Sequence, residues 1–426
     1  TKVIIEPDFS YQKDINLVTT NNIFHTLKKV LQENKSQNYC IFINSTKLIG
    51  TYIKKLEIHA ESAIFCSRDS SYKFRIGNFK NVSDGLTDFK TFNFLTSRFY
   101  SAVDIYMDEK PTIIMVTDLV TANHSMIDPF TDAIQIVGRF RKGFEKIIHI
   151  TNLNPDMKTM SREEVFAYLS GCEMSYNQIK ALRQGATTTG AIDTLDEVLK
   201  LIPYAQYLNI DGSKNYFMQD NRLHEEIIKQ CYTSSDNFLK AYTNKHFKPS
   251  LVTESYPLDD KSNANLSSGI SLLVIVKEII QSLEWIFDTT MPYTIDNRNT
   301  VLAELNKCFP LIVQAYKELG AEELERNGYS IRQIKKALRY KNNTKAKSNF
   351  EFIKSIQENF EVQESYSDQE STNILRNIIN EHKLELKASR KLLEEYFELS
   401  PRKTIRRLSD KSEVKGFTVL RSKFNK

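Results

Sequence analysis

A parallel-sheet α/β domain followed by a mainly helical region is the fold class this sequence predicts. Three observations carry the prediction. Up to about residue 155, short β-rich apolar runs alternate with helix-like stretches, which is the pattern of βαβ units. Beyond that point helical periodicity dominates. Glycine is scarce, 13 in 426 residues, where average usage is about 7%. With 25 Phe and 20 Tyr the chain has apolar surface for two or three cores.

Taken in order, Tyr39–Ile43 reads as a strand and Leu48–Leu56 as the helix after it. Ala63–Cys66, Phe92–Leu95, Thr112–Val116 and Ile147–Ile150 are further continuous apolar runs, the kind covered on both faces of a parallel sheet. Asp132–Val137 fits a helix between the last two. Ser161-Arg162-Glu163-Glu164 is a capping box, in which a Ser hydroxyl and a Glu carboxylate satisfy the free amides of a helix start. Residues 248–269 are polar with two prolines and predict a linker or long loop. The domains expected are therefore 1–155 (α/β), 156–248 (helical), 249–269 (linker), 270–345 (helical) and 346–426 (helical with a basic end).

Within the last two, Tyr329–Leu338 has Ser330 placed to start a helix with apolar and basic faces, a solvated helix or part of a helix-turn-helix. A polar interruption follows at Lys341–Ser348. Asn373–His382 and Lys387–Phe397 read as helices, and Thr404–Leu408 and Gly416–Leu420 as strands around the turn Ser409–Lys415. Helix, helix, hairpin is a winged-helix-like layout. From Ser400 onward there are nine Lys or Arg and two acids. Arg402, Lys403, Arg406 and Arg407, with Lys391, Lys415 and Arg421, are candidates for phosphate contacts that position a nucleic acid without reading its bases.

Composition bounds the function class only loosely. A net charge of +5 does not by itself imply a polyanionic partner. Cys40, Cys66, Cys172, Cys231 and Cys308 are scattered, with no C-x-x-C pair and no zinc spacing, which predicts reduced thiols and no metal site. The longest apolar stretch, Ile270 to Phe287, is broken by Lys277, Glu278 and Glu284, so it reads as an amphipathic helix. A cytoplasmic protein without a membrane partner is the expectation. His149, His224, His246 and His382 are isolated and read as packing or surface residues.

Three short segments carry chemistry. Gln135-Ile136-Val137-Gly138-Arg139-Phe140-Arg141 has the form Q-x-x-G-R-x-R. Thr96-Ser97-Arg98-Phe99-Tyr100-Ser101-Ala102-Val103-Asp104-Ile105 follows a strand, and Ile41-Phe42-Ile43-Asn44-Ser45-Thr46 ends one and starts a helix. In order and spacing, about 50 and then 40 residues apart, they resemble motifs IV, V and VI of superfamily 2 (DEAD/DEAH-like) helicases. The first 155 residues are accordingly similar to the second RecA-like domain of that family. Strand, Ser or Thr, helix is also what plain N-capping looks like.

The resemblance implies roles residue by residue. Arg139 would be the arginine that stabilises charge on a departing γ-phosphate, with Arg141 or Lys142 as a second contact; a planar, permanently charged fork suits that task. Asp104, Gly138 and Lys142 would lie near the nucleotide, and Asp104 and Gln135 would couple its state to domain closure. Asn44, Ser45, Thr46, Thr96 and Ser97 would hold the nucleic-acid backbone. Ala102 stands where the family usually has Gly, and the second motif VI arginine of many members falls at Lys142.

No G-x-x-x-x-G-K-[ST] segment occurs, and Asp108-Glu109 follows no apolar strand, so it reads as a solvated turn. The chain by itself would then lack the ligands for ATP and Mg²⁺. Together with its Thr start, this points to the C-terminal part of an ATP-dependent DNA helicase or translocase. It would share its nucleotide site with an upstream RecA-like domain. RNA unwinding is one alternative, and a non-catalytic nucleic-acid-binding or replication-accessory protein with a RecA-like scaffold is another.

Overall fold

The computed structural model describes residues 12–71, 79–101, 103–267, 271–406 and 413–423. Two compact units divide the chain. The first comprises Thr1–Gly269 and Thr289–Val301, the second Ile270–Asp288 and Leu302–Lys426.

The first unit is built on an eight-stranded parallel sheet. In chain order it runs β1 (Lys13–Thr20), α1 (Ile23–Glu33), β2 (Tyr39–Phe42), α2 (Thr46–Leu56), β3 (Ser62–Phe65), β4 (Val82–Ser83), β5 (Phe92–Leu95), β6 (Thr112–Thr117), α3 (Asp132–Gly138) and β7 (Lys146–Thr151). After several helices β8 (Phe247–Glu254) joins, giving the order β4-β3-β5-β2-β6-β7-β1-β8. Every strand pair in this sheet is parallel. All five apolar runs singled out in the sequence are strands of it.

Alternation along each strand fills two cores. On β2, Cys40 and Phe42 join Leu95, Met115, Ile136 and Phe140 on one face. Tyr39 and Ile41 join Ile23, Leu27, Ile49 and Ile53 of α1 and α2 on the other. The helices start where side chains replace missing backbone acceptors. Asn22 caps α1 by accepting from the His25 amide at 3.0 Å.

The expected boundary at residue 155 and the linker at 249–269 both need correction. The capping box at Ser161 and Glu164 does start a long helix, α4 (Arg162–Gly185), paired with α5 (Thr189–Leu201). However, α6 (Tyr216–Cys231) and α7 (Ser235–Tyr242) then deliver Tyr232, Phe238 and Tyr242 into the sheet core. Residues 247–254 are strand β8, in register with β1 from Lys13↔Phe247 to Thr20↔Glu254. Pro249 is tolerated because β8 is an edge strand, where one side of the backbone has no neighbour to bond. Helix α8 (Asp260–Ser267) occupies the remainder.

The second unit is mainly helical. It includes α9 (Leu272–Phe287), which buries Val276, Ile279, Ile280, Leu283 and Ile286 on one stripe, as the amphipathic pattern predicts. Helix α10 (Ile295–Cys308) continues from the first unit, and α11 (Pro310–Leu319), α12 (Ala321–Arg326) and α13 (Ile331–Lys347) follow. No helix among the described residues is long and apolar enough to cross a membrane.

The chain closes with α14 (Phe350–Asn359), β9 (Ser365–Ser367), α15 (Asp368–Glu381), α16 (Arg390–Leu393), β10 (Phe397–Leu399), β11 (Lys403–Arg406) and β12 (Glu413–Ser422). Strand β12 pairs antiparallel with β9, β10 and β11. The helix expected over Lys387–Phe397 is therefore one short turn, and Phe397 starts a strand. Gly416 is required where β12 passes between its neighbours. A Cβ there would overlap the Tyr366 carbonyl and the Ile405 side chain.

Candidate active site

All strands of a parallel sheet end on one edge, and the loops beyond that edge are where α/β sheets bind ligands. Strands β2 and β5 are neighbours with Phe42 opposite Leu95, so the segments beginning at Asn44 and Thr96 leave that edge side by side. Ser45 is buried and caps α2, its Oγ accepting from the Leu48 amide at 3.4 Å. Asn44 donates to the His124 carbonyl at 3.1 Å, and Thr46 opens the helix half-buried. Thr96 is buried and donates its hydroxyl to the Phe65 carbonyl at 3.4 Å. Ser97, which starts a short 3₁₀ turn, is exposed. Ser45 and Thr96 thus serve the backbone, while Ser97 faces solvent.

The segments Thr96–Ile105 and Gln135–Arg141 meet directly. The Ile105 amide donates to the Arg139 carbonyl at 2.9 Å, and the Arg141 amide donates to the Ile105 carbonyl at 3.2 Å. This parallel bridge sets Ile105 opposite Phe140, both buried. Their polar neighbours point outward. Arg141 donates from Nε to Asp104 Oδ1 at 2.8 Å, with Nη2 2.7 Å from the same oxygen. Lys142 Nζ lies 2.7 Å from Asp108 Oδ1 and holds that exposed carboxyl below its usual range. Ala102 lies outside the described residues.

Arg139 differs from both. It caps α3 and donates from Nε to the Gln135 carbonyl at 3.2 Å, half-buried, yet it has no carboxylate partner among the described residues. Gln135 is half-buried on the same helix and Gly138 is exposed at its end. Of the three basic side chains in this segment, Arg141 and Lys142 are paired with carboxylates and Arg139, among the described residues, is not. The Arg139 guanidinium is free of a carboxylate to meet an anion, although it stands at the carbonyl end of α3, which by itself favours cations. Among the described residues no group of three or more His, Cys, Asp or Glu is arranged to hold a metal ion.

Sequence reasoning missed the buried polar network on the same edge, beyond β6 and β7. Asp118 Oδ1 accepts from the amides of Val120 and Thr121 at 3.0 and 3.1 Å and from Asn152 Nδ2 at 3.0 Å. Asn152 also donates to Asp260 Oδ2 at 2.9 Å and accepts from the Leu119 amide at 2.6 Å. Asp260, the first residue of α8, accepts from the Ile23 amide at 3.0 and 3.1 Å. Burial pushes the Asp260 carboxyl up to about 7, Asp118 adds to the shift, and the bonds from Asn152 and Ile23 oppose it. Thr117-Asp118 and Thr151-Asn152 directly ending two apolar runs were the available signal.

The histidines serve packing and pairing. His149 is fully buried between Thr117 (3.1 Å) and Tyr242 (2.6 Å), and burial drives it down to about 3. His224 lies 2.7 Å from the buried Asp128, and His382 bonds Ser355 at 2.9 Å.

In the second unit, Arg402 pairs with Asp368 at 2.8 Å and Arg421 with Glu398. Lys403 is exposed, Arg406 ends β11, and Arg407 lies outside the described residues. All five cysteines are free thiols. The chain matches no protein-family model, no curated protein and no solved structure.

Proposed function

We propose that this chain supplies the second RecA-like lobe and C-terminal region of an ATP-dependent helicase or translocase that acts on nucleic acid, DNA in the first place. The observation that carries the reading is Arg139. It sits where the Thr96–Ile105 and Gln135–Arg141 segments meet and, among the described residues, is the basic side chain there without a carboxylate partner.

In this reading Arg139 would contribute a fixed positive fork to the γ-phosphate of ATP held, with its Mg²⁺, by the phosphate loop and carboxylates of an upstream domain. Such a metal would supply neutralisation of the charge that builds on the phosphate oxygens. Asp104 and Arg141 lock the two motif segments together, so a pull on the motif V loop is felt at Arg139 through two backbone hydrogen bonds. Gln135 fixes Arg139 through its own carbonyl. Ser97 and the amide end of α2 meet the strand backbone from the neighbouring loops.

A winged-helix reading of residues 350–423 adds to the case. Helix α14, strand β9, helices α15 and α16, and a β11–β12 hairpin with β12 set between β9 and β11 follow the order such a module has.

The test is ATP hydrolysis by the full natural gene product, with and without DNA or RNA, beside Arg139→Ala. Hydrolysis stimulated by nucleic acid and lowered by about 10³-fold or more in Arg139→Ala is the expected result. An Arg139→Ala protein as active as the parent overturns the assignment. A full product inactive with every nucleic acid points instead to a scaffold that binds without catalysis.

A further inference from the structure

The geometry points to α13 as a second nucleic-acid contact, a track for the phosphate backbone in the second unit, apart from the Arg139 site. Its seventeen residues, Ile331–Lys347, carry seven Lys or Arg and no acid. Residues three and four apart share a helix face. Arg332, Lys336 and Arg339 therefore form one outward row, with Lys335 and Tyr340 beside it. All five are exposed.

The cations differ in how they are held. Lys347 lies 2.6 Å from Glu395, and Lys341 bonds the Glu318 carbonyl. Arg339 is 3.7 Å from Glu385, with both side chains more than 70% exposed, a pair of little strength. Arg332, Lys335 and Lys336 make no ion pair among the described residues, where the pairs on this helix are those of Arg339 and Lys347. A helix whose basic face was only a solubilising surface would intersperse acids at i+3 or i+4, as Arg222 and Glu226 do on α6. Here like charges stand at those spacings and repel one another, a cost that a bound polyanion removes.

Two classes of polyanion carry closely spaced phosphate: nucleic acids and anionic lipid surfaces. A helix that lies on a membrane must bury a free apolar face in it. The apolar side of α13 is already used, since Ile334 and Leu338 are buried in the protein. A nucleic-acid backbone needs only the cationic row. Duplex DNA offers about one charge per 1.7 Å of axis, and the row from Arg332 to Arg339 spans about 10 Å. Tyr340, 76% exposed at the edge of the row, adds a ring on which an unpaired base stacks.

The test is binding of the whole chain to fluorescent single-stranded DNA, duplex DNA and single-stranded RNA across a salt series. The parent is compared with R332Q/K335Q/K336Q, with the charge-preserving R332K/K335R/K336R, and with K180Q/K200Q as a control for lost net charge elsewhere. The glutamine triple should bind at least tenfold more weakly, with a log–log salt slope shallower by about 2 to 3, because each lost phosphate contact removes about 0.7 to 0.9. The charge-preserving triple should bind like the parent, which separates a charge effect from misfolding. A glutamine triple that binds with parental affinity and slope, or loses no more than K180Q/K200Q, overturns the proposal. So does binding to phosphatidylserine vesicles that requires these residues while no oligonucleotide is bound. Because the readout is binding and not hydrolysis, failure here is distinguishable from failure of the Arg139 assignment.

Discussion

Two groups of polar side chains in the first unit are held in opposite ways. Between β5 and β6 and between α3 and β7, Asp104, Arg141, Lys142 and Asp108 stand in solvent in single ion pairs, with Arg139 left over. Beyond β6 and β7, Asp118, Asn152 and Asp260 are buried and bonded several times each, to one another and to backbone amides. A buried charge is tolerated only where its bonds are satisfied, so the second group is committed to holding the chain together. Exposed pairs contribute little to folding, so the first group is free to be selected for something else. The contrast separates polar residues that build the edge from polar residues that are available to act.

The contrast breaks most sharply at Asn152. Asn152→Ala removes the donor shared by Asp118 and Asp260 and the acceptor for Leu119, leaving two buried carboxylates short of a partner. A loss of about 3 kcal/mol in denaturant unfolding is expected. A loss below about 1 kcal/mol would mean that water reaches the network and that the two groups are not different in kind.

Asp260 sharpens the contrast by pH. Its carboxyl is ordinary at 3.8 when unfolded and is pushed up to about 7 by burial in the fold. Between these values the folded state binds the proton more tightly, so stability falls as pH rises through that window. Its share of the slope is at most about 1.4 kcal/mol per pH unit. The charged and titratable groups around it are Asp118 and Asp259, with Tyr52 responding to both Asp118 and Asp260. Asp260→Asn should flatten the stability profile between about pH 4 and 7 relative to the parent. An unchanged profile would assign the slope to another group.

How much of this was legible in the sequence follows from the same physics. Strands β2, β3, β5, β6 and β7 are covered on both faces, so each reads as a continuous apolar run. Strand β1, KDINLVTT, opens with polar residues, and β8, FKPSLVTE, is an edge strand with exposed alternate positions and a proline. Neither has the pattern of a buried strand, and both are recognisable only through pairing with partners more than 130 residues away. Asp260 was invisible for the same reason: its partners Ile23 and Asn152 are 237 and 108 residues away. Arg139 and Asp104 stood out because their segments are local patterns. Their direct backbone bridge did not, because nothing in two separated loops announces that they touch.

Thr96 lies between the two regimes. It is buried, but its hydroxyl bond to Phe65 is long, and the Phe65 carbonyl keeps the Thr96 amide at 3.1 Å in any case. Thr96→Val should therefore cost under about 1 kcal/mol. If the same substitution weakens oligonucleotide binding well beyond that, the hydroxyl meets the strand backbone. If both readouts stay level, Thr96 belongs with the residues that build the edge.

The smallest effect on folding is expected at Asp104 and Arg141, and there it is the smallness that informs. Both side chains are 41–48% exposed, and the bridge between Ile105 and Arg139–Arg141 uses backbone atoms that substitution leaves in place. Asp104→Asn, Arg141→Gln and the double variant should unfold at the parent's midpoint. In the full gene product, each single variant should nonetheless lower nucleic-acid-stimulated hydrolysis, and the double variant should be no worse than the worse single. Two residues that act only by holding one junction together are lost once, not twice. Additive losses would instead give each residue its own contact with nucleotide or strand. Parental hydrolysis in all three would make this ion pair ornamental and leave Arg139 to stand alone.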